Sequence, residues 1–317
     1  MKLHQLRDFI AVASTGSLRA AARRLGLTQP SLSKSIQQLE KELGYPLFDR
    51  HARGAVLSFA GRTFLPRAET VLNELQRATS ELKHLGGSGG HVNVAVSAAA
   101  SIVALPEALI EFRKKHPDAS VRVVSGTFAV MFNELRAGAL DFSVGPRPAM
   151  TLSEEFSVEA LFTNTRVVAC RVGHPLCKAK SLGELIHAQW LVPGAMGLAT
   201  AEHDQIFHGL GLPVPQSVVQ CEYPTALMSL LARTDMLSIV PRQYVDSHPF
   251  DGFLVEIPIQ ESLPGAEIVL ITKSGMPQTP AAEYLLTLLR RHIEYGQKAT
   301  SLSGRVSVFG NQSREIA

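Results

Sequence analysis

Residues 17–43 read SLRAAARRLGLTQPSLSKSIQQLEKEL, and this stretch predicts two short helices joined by a tight turn. Ser17 and Thr28 have the side-chain oxygens that cap helix N-termini, and Gly26 follows the first helix where a left-handed residue ends it. Apolar residues at steps of three and four give each helix one packing face. They are Leu18, Ala21, Ala22 and Leu25 in the first helix and Leu32, Ile36, Leu39 and Leu43 in the second.

The second helix has a polar face opposite its apolar one. Its amide, hydroxyl and ammonium groups suit base edges and phosphates in a DNA major groove, and Pro30 is tolerated in a first helical turn. A solvated helix face is the alternative interpretation. The candidate DNA-binding residues on and beside this face are Thr28, Gln29, Pro30, Ser31, Ser33, Lys34 and Gln37.

The residues after Leu43 predict a small hairpin, or wing. Gly44 and Pro46 end the helix, and two short strands follow at residues 47–50 and 55–57. Arg50 and Arg53 lie at or near the tip, where arginines contact phosphates or an adjacent minor groove. Solvated charges on a hairpin are the alternative.

A long helix follows, capped by Ser58 and running to about Leu85. Its apolar residues alternate steps of four and three over three heptads, which is typical of a coiled-coil seam with a second copy of the same helix. Pro66 predicts a kink or a later start of the helix. The seam residues are Phe64, Ala68, Val71, Leu75, Ala78, Leu82 and Leu85.

The N-terminal stretch contains five short motifs. They are L-x-x-F-x-x-V-A at 6–13, G-S-L-x-x-A-A-x-x-L at 16–25, L-T-Q-P-S-L-S at 27–33, I-Q-x-L-E at 36–40 and L-G-x-P-L-F-x-R at 43–50. Together they resemble the helix-turn-helix of LysR-type transcriptional regulators. The resemblance implies a sequence-specific DNA-binding regulator that forms a homodimer or homotetramer. It also implies that a small effector shifts subunit arrangement, DNA bending and contact with RNA polymerase.

Charge is divided unevenly along the 317 residues. Residues 1–90 carry 13 Lys and Arg against 7 Asp and Glu, whereas the remainder carries 18 against 21. The basic part therefore favours a polyanion, and the acidic part does not. We expect a cytoplasmic protein because no apolar run is long enough to span a membrane, and the N-terminus lacks the pattern of an export signal.

No enzyme motif was found, and no cofactor or metal is expected. Cys170 and Cys177 invite a redox or metal hypothesis, although buried cysteines usually behave as small hydrophobic residues. His203 and His208 are five residues apart on one predicted helix, which is the wrong spacing for a shared metal and indicates surface positions.

The segment GGSGG at 86–90 has linker composition and divides the chain. Beyond it, β-branched runs alternate with amphipathic stretches, which predicts an α/β class with parallel sheets. The expected domains are a winged helix-turn-helix at 1–58, a linker helix and hinge at 59–90, an effector-binding domain at 91–295 and a disordered tail at 296–317. The family resemblance implies two Rossmann-like lobes similar to a type 2 periplasmic binding protein. Lobe I would be about 91–161 and 268–295, and lobe II about 162–267.

Effector-binding candidates follow predicted strands, because open parallel sheets bind ligands at the carboxyl ends of their strands. The family resemblance implies an effector-contacting threonine at Thr127, whose hydroxyl suits an N-cap equally well. Arg147 suits a carboxylate clamp, and a surface salt bridge is the alternative. The full set is Ser97, Ala99, Ser101, Thr127, Phe128, Arg147, Gly197 and Thr200.

Two other functions remain open from the residues alone. One is a solute-binding protein whose helical N-terminus serves only for oligomerisation. The other is an architectural DNA-binding protein that needs no ligand. The absent export signal and the basic N-terminal part argue against the first, and the long two-lobed region argues against the second.

Overall fold

The computed structural model describes residues 1–51, 54–85, 90–125, 128–194, 198–246 and 252–306. At some of these positions, including Arg50 and Phe128, only the backbone is described. Within these ranges no helix has the length and apolar character needed to cross a membrane.

The N-terminal part folds as three helices followed by a two-stranded wing, which confirms the predicted elements. Phe9 of the first helix lies in a core that also contains Leu32, Leu39 and Leu47, and Asp8 of the same helix is buried as well. The elements are α1 (Leu3–Thr15), α2 (Leu18–Leu25), α3 (Gln29–Leu43), β1 (Phe48–His51) and β2 (Gly54–Leu57).

The long helix α4 (Phe59–Leu85) begins directly after Ser58. Ser58 Oγ accepts the Gly61 N–H at 3.0 Å and donates to the Pro46 carbonyl at 2.6 Å, so one hydroxyl caps α4 and holds it to the wing. Pro66 lies inside the helix, and a late start there is therefore wrong.

The regulatory part contains alternating strands and helices that form two lobes. Its first elements are β3 (His91–Val96), α5 (Ala98–Val103), α6 (Leu105–Lys115), β4 (Ser120–Val124), α7 (Phe128–Arg136), β5 (Phe142–Pro146) and β6 (Phe156–Asn164). The next are β7 (Arg166–Arg171), a 3-10 turn (Leu182–Leu185), β8 (Gln189–Pro193), α8 (Leu198–Gly209), β9 (Ser217–Cys221) and α9 (Pro224–Arg233). The last are β10 (Met236–Pro241), α10 (Gln243–Asp246), β11 (Leu254–Ile257), β12 (Ala266–Lys273) and α11 (Pro280–Val306).

Each lobe is built on a five-stranded mixed sheet. Lobe I has the order β4-β3-β5-β12-β6, with β3, β4 and β5 parallel and β12 antiparallel to β5 and β6. Lobe II has the order β11-β7-β10-β8-β9, with β8, β9 and β10 parallel and β7 antiparallel to β10 and β11.

The chain crosses between the lobes twice, at Thr165 and between β11 and β12. At this point Gly265 lies so close to the other crossing that an added Cβ would be 2.4 Å from the Asn164 carbonyl oxygen. The Asn164 side chain accepts the Ala266 N–H at 2.9 Å. The two crossings are therefore bound to each other, and a side chain at position 265 would separate them.

Several predicted elements were wrong in detail. The apolar run at 161–171 predicts a single strand, but the structure has two strands in different lobes, β6 and β7. The amphipathic stretch at 102–115 predicts one helix, but the structure has α5 and α6, because Pro106 cannot continue a helix that enters from Ala104. The stretch at 181–187 predicts a helix, but the structure has only a 3-10 turn, in which Leu182 and Leu185 are buried at a spacing of three.

Two further differences concern the C-terminal half. The strand β11 was not predicted, because it has only four residues and no alternation of polar and apolar side chains. Helix α11 continues to Val306, so residues 296–306 are helical where a disordered tail was expected. Good helix formers such as Gln297, Lys298 and Ala299 and the absence of proline allow the helix to continue. Residues 307–317 of that predicted tail lie outside the described residues.

Candidate DNA-binding and effector sites

The recognition helix α3 is oriented by its cap and its apolar face. Thr28 is in an extended conformation, and its hydroxyl accepts the Ser31 N–H at 3.4 Å. Leu32, Ile36 and Leu39 are buried against α1 and α2. The candidate DNA-binding residues of this helix consequently lie on the outer side. Thr28, Gln29, Pro30, Ser31, Lys34 and Gln37 are exposed, and Ser33 is half-buried.

Two acidic residues that the sequence did not single out hold α3 in place. Asp8 of α1 is buried and accepts a hydrogen bond from the Ser35 hydroxyl. Glu40 accepts the backbone N–H groups of Leu47 and Phe48 at 2.7 and 3.2 Å, which fastens the wing to the C-terminal half of α3. These contacts orient the recognition helix without themselves facing outward.

Helix α2 adds positive charge beside α3. Arg19 and Arg23 are exposed and are one helical turn apart. In helix-turn-helix proteins the first helix of the pair crosses the DNA backbone, so these arginines suit phosphate contacts. The sequence signal for this pair is the i, i+4 spacing of two arginines on α2.

The wing is an antiparallel hairpin in which Phe48 pairs with Leu57 and Arg50 with Ala55. The Ala55 N–H donates to the Gly16 carbonyl at 3.0 Å, which ties the wing to the turn between α1 and α2. The backbone of Arg50 lies in β1 as expected, and Arg53 lies outside the described residues.

The carboxyl ends of β3 and β5 meet at the predicted effector position. The Ser97 N–H donates to the Val144 carbonyl at 2.8 Å, and its hydroxyl caps α5 by accepting the Ala100 N–H at 3.4 Å. A Cβ on Gly145 would lie 3.4 Å from that of Ser97. Ser101 donates its hydroxyl to the Ala98 carbonyl at 2.7 Å. Ala99 is buried, so its side chain packs inside the lobe.

The remaining effector candidates are dispersed. Arg147 forms an ion pair with Glu267 of β12, and the two side chains are 46% and 40% exposed. The geometry thus matches the surface salt bridge that was the alternative for Arg147. Thr200 is half-buried in the first turn of α8. Thr127 and Gly197 lie outside the described residues, and the backbone of Phe128 begins α7.

The two lobes meet through α5 and α10. Ala98 and Ile102 of lobe I pack against a lobe II cluster that contains Leu227 and Tyr244. Burial raises the pKa of the Tyr244 phenol to about 12, so this residue stays neutral. The effector candidates around Ser97 therefore adjoin the contact between the lobes.

Comparison with protein families identifies both parts of the chain. The model described as "Bacterial regulatory helix-turn-helix protein, lysR family" matches residues 3–62, and the model described as "LysR substrate binding domain" matches residues 85–294. The chain belongs to the LysR family of transcriptional regulators. It is therefore a DNA-binding transcriptional regulator with an effector-binding domain, and not an enzyme.

Individual relatives agree with this assignment. The regulator is 32% identical over 293 residues to the HTH-type transcriptional regulator GalR of Pseudomonas putida, with coverage of 91% of this chain and 73% of the relative. It is 30% identical over 299 residues to the SDS degradation transcriptional activation protein of a Pseudomonas species, with coverage of 90% and 95%.

Solved structures have the same fold. CbnR, a LysR family transcriptional regulator, gives a TM-score of 0.68 at 23% identity, with 92% of this chain and 99% of CbnR covered. Full-length CbnR complexed with its target DNA gives a TM-score of 0.67 at 23% identity, with 92% and 100% covered. The two-lobed architecture after the linker helix is thus the fold of full-length LysR regulators.

The linker helix α4 of the regulator has two distinct faces. Phe64 and Ala68 of the predicted seam pack into the N-terminal core, whereas Val71, Leu75 and Leu82 are exposed in the single chain. The opposite face docks on lobe I. There Asn73 donates to the Ala137 carbonyl at 2.9 Å, and Ser80 Oγ accepts the His91 N–H at 3.0 Å.

A buried ion pair lies at the centre of this docked face. Arg77 lies 2.5 Å from Asp141 Oδ1 and donates to the Pro277 carbonyl at 2.7 Å, while the Asn93 N–H donates to Asp141 Oδ2 at 2.8 Å. Burial raises the pKa of the Asp141 carboxyl, and the hydrogen bond from Asn93 and the charge of Arg77 oppose that rise. The sequence did not indicate this pair.

Cys170 and His203 of the regulator are both buried in lobe II. Burial raises the pKa of Cys170 to about 11, so its thiol stays protonated and is poorly suited to a redox role. His203 is buried against Trp190 and Phe207, and its predicted surface position was wrong because it shares the inner face of α8. Among the described side chains, no three His, Cys, Asp or Glu residues form a group that could hold a metal.

Proposed function

We propose that the regulator binds DNA as a two-fold homodimer, with a recognition helix α3 of each subunit in the major groove of one half-site. The polar face of α3 supports this proposal, because it is exposed and belongs to the part of the chain with an excess of Lys and Arg. Gln29 near the start of α3 reads a base edge, and Lys34 and the wing arginines contact phosphates. Arg53 is assigned to the wing from the sequence alone.

The exposed stripe on α4 supports the dimer. Leu75 is 39% and Leu82 is 68% exposed in one chain, and both lie on the heptad seam. A second α4 would cover them, and a dimer with two recognition helices binds a DNA site with two related half-sites. The family resemblance implies a homodimer or a homotetramer, and RNA polymerase is the further partner that it implies.

The effector is a small anion bound in the cleft between the lobes. Ser97 and Gly145 lie close together at the carboxyl ends of β3 and β5, and Arg147 directly follows β5. A ligand carboxylate would replace Glu267 as the partner of Arg147, which exchanges one charge-assisted hydrogen bond for another. Such a ligand changes the bend of the DNA only if it binds one arrangement of the lobes more tightly than the other.

Binding to a DNA site selected from random duplexes tests the roles given to the recognition helix and the wing. Gln29→Ala should relax base preference at one position of each half-site, at a cost of about 1–3 kcal/mol in discrimination. Arg53→Ala should weaken binding to all sequences alike and reduce the salt dependence. Gln76→Ala on the exposed part of α4 is the control and should change neither. If both Gln29→Ala and Arg53→Ala lowered the affinity for all DNA sequences alike, the roles given to the helix and the wing would be wrong.

The role of the effector is tested with a panel of small carboxylates. Thermal shift identifies a ligand, since a compound that binds the folded state raises its stability. Arg147→Gln should abolish the shift, and the native protein with the ligand should bend its DNA site to a different angle. If DNA bending and affinity are the same with every ligand that binds, the protein is the ligand-independent architectural type.

A further inference from the structure

A groove of about 430 Å³ lies on lobe I between α11 and the strand pair β6–β12. In the register of this pair Glu159 is opposite Leu270 and Ser157 is opposite Thr272, so these four side chains form the floor. The wall above them comes from three residues of α11 at helical spacing, which are Glu283, Leu286 and Arg290.

The groove is separate from the cleft between the lobes. Strand β12 runs antiparallel to β5, so its C-terminal end lies at the edge of the sheet opposite the carboxyl ends of β3 and β5. The chain that leaves this end of β12 contributes Pro277 and Gln278, which line the groove. A ligand there would contact none of the effector candidates around Ser97.

Two buried polar atoms of the groove residues have no hydrogen-bond partner among the residues that the structure describes. They are Gln278 Oε1, an acceptor, and Arg290 Nε, a donor. The other ends of both side chains are engaged, because Gln278 Nε2 donates to the Asp141 carbonyl at 2.9 Å and Arg290 lies 2.5 Å from Glu159. Both atoms have almost no solvent-accessible surface, so they lie beneath the surface of the groove, and a side-chain rotation would present each of them to an occupant. Buried polar groups are nearly always satisfied, so each of these atoms points to a missing partner.

The charges and surfaces of the groove restrict that partner. Arg290 is already neutralised by Glu159, and Glu283 adds a further negative charge, so an anion is disfavoured. The occupant must donate to Gln278 Oε1, accept from Arg290 Nε, and rest an apolar face on Leu270 and Leu286. A ring that carries several hydroxyl groups meets these requirements, and the volume lies in the lower part of the range of small-molecule pockets.

We propose that this groove binds a neutral polyhydroxylated molecule of monosaccharide size, and that its occupancy is coupled to the linker helix. The coupling runs through Pro277 and Gln278, because Arg77 of α4 donates to the Pro277 carbonyl and Gln278 holds the backbone of Asp141, the partner of Arg77. A ligand that fastens Gln278 thus stabilises the segment on which α4 is docked. By linkage, the docking of α4 strengthens ligand binding to the same degree.

Calorimetric titration of the intact protein, in the absence of DNA, tests the site. The probes are glucose, galactose, mannose, xylose and arabinose, with glucuronate as the charged counterpart. At least one neutral sugar should bind saturably, once per chain, and glucuronate should bind at least about tenfold more weakly because of Glu283. Because the titration contains no DNA, a negative result would leave the proposed recognition of DNA by α3 unaffected.

Three variants locate the binding. Ser157→Trp fills the floor of the groove and should abolish it, whereas Ala160→Trp, exposed on the same strand but outside the groove, should leave it unchanged. Arg290→Lys retains the charge beside Glu159 but has no Nε donor, so it should weaken binding by about tenfold. Absence of binding by all five sugars would overturn the proposal, and so would native affinity in Ser157→Trp.

Hydrogen exchange tests the coupling. Saturation with the sugar should slow amide exchange in α4 around residues 73–80, and the effect should be missing in Ser157→Trp. Sugar binding without any change in α4 would leave a simple ligand site and overturn the coupling.

Discussion

Arg77→Met removes the cation of the buried ion pair on α4 while it keeps much of the side-chain volume. In the native protein the side chains of Arg77 and Asp141 are 10% and 3% exposed, and the variant leaves Asp141 with the Asn93 N–H as its remaining charge-stabilising contact. Removal of one partner from a buried pair costs about 3–5 kcal/mol, because an uncompensated charge stays behind. For a domain of this size 1 kcal/mol corresponds to about 2–4 °C. We therefore expect calorimetry to show a Tm of the regulatory part lower by about 10 °C.

A double-mutant cycle separates the pair from general effects. Asp141→Asn keeps an acceptor for Arg77, and the double variant removes both charges, so its loss should be smaller than the sum of the single losses by more than about 1 kcal/mol. Arg67→Met, at an exposed position of the same helix, is the matched control and should change stability by less than about 0.5 kcal/mol. Additive losses, or an Arg77→Met loss equal to that of the control, would refute the reasoning.

The same variant should respond to pH. The raised pKa of Asp141 means that the folded state binds a proton more readily than the unfolded state, so the carboxylate costs stability as the pH rises through that pKa. Without Arg77 one of the two groups that lower this pKa is lost, and the pKa rises further. The loss in the free energy of unfolding caused by Arg77→Met should accordingly shrink as the pH falls from about 7 to about 5. A deficit that stays constant over this range would show that Asp141 is not the group left unpaired.

Two other predictions concern α4 and lobe II. Leu75→Glu introduces a charge into the exposed stripe and should reduce the mass in solution to that of a smaller assembly. Gln76→Glu on the neighbouring surface is the control and should leave the mass unchanged. Sedimentation measures both variants, and an equal mass for the two would exclude the seam. Burial lowers the pKa of His203. The folded protein should therefore lose stability as the pH falls below the ordinary pKa of histidine, because the unfolded state then binds the proton more readily. His203→Phe should flatten this acid limb in thermal unfolding between about pH 7 and pH 5, and an unchanged limb would assign it to other groups.

The helix-turn-helix formed by α2 and α3 was predictable because the sequence features that specify it are local. Caps at Ser17 and Thr28 and the apolar spacing of α3 act within one or two turns, and the structure has each of them as the sequence indicated. The residues that fasten α3 were missed for the opposite reason. Asp8 meets Ser35 across 27 positions of the chain, and a pairing over that separation leaves no periodicity in either segment.

The regulatory part was less predictable for the same physical reason. Periodicity indicated alternating strands and helices, but it did not show that residues 161–171 change from one sheet to the other at Thr165. That change depends on pairing with β12 and β10, which lie about a hundred and about seventy positions further along the chain. The effector candidates were chosen by their position after strands, and only the geometry distinguished the buried Ala99 from the ion-paired Arg147.

The two faces of α4 bear directly on how a ligand in the regulatory part reaches the DNA. Leu75 and Arg77 project from opposite sides of the helix, since residues two positions apart in an α-helix are rotated by about 200° around its axis. One side is free for a second copy, and the other is fixed to lobe I by a buried ion pair. In the proposed dimer, a movement of lobe I that keeps this pair intact would carry α4 with it and alter the contact between the two copies of α4. We therefore expect the transmission of a ligand signal from lobe I to α4 to depend on Arg77 and Asp141.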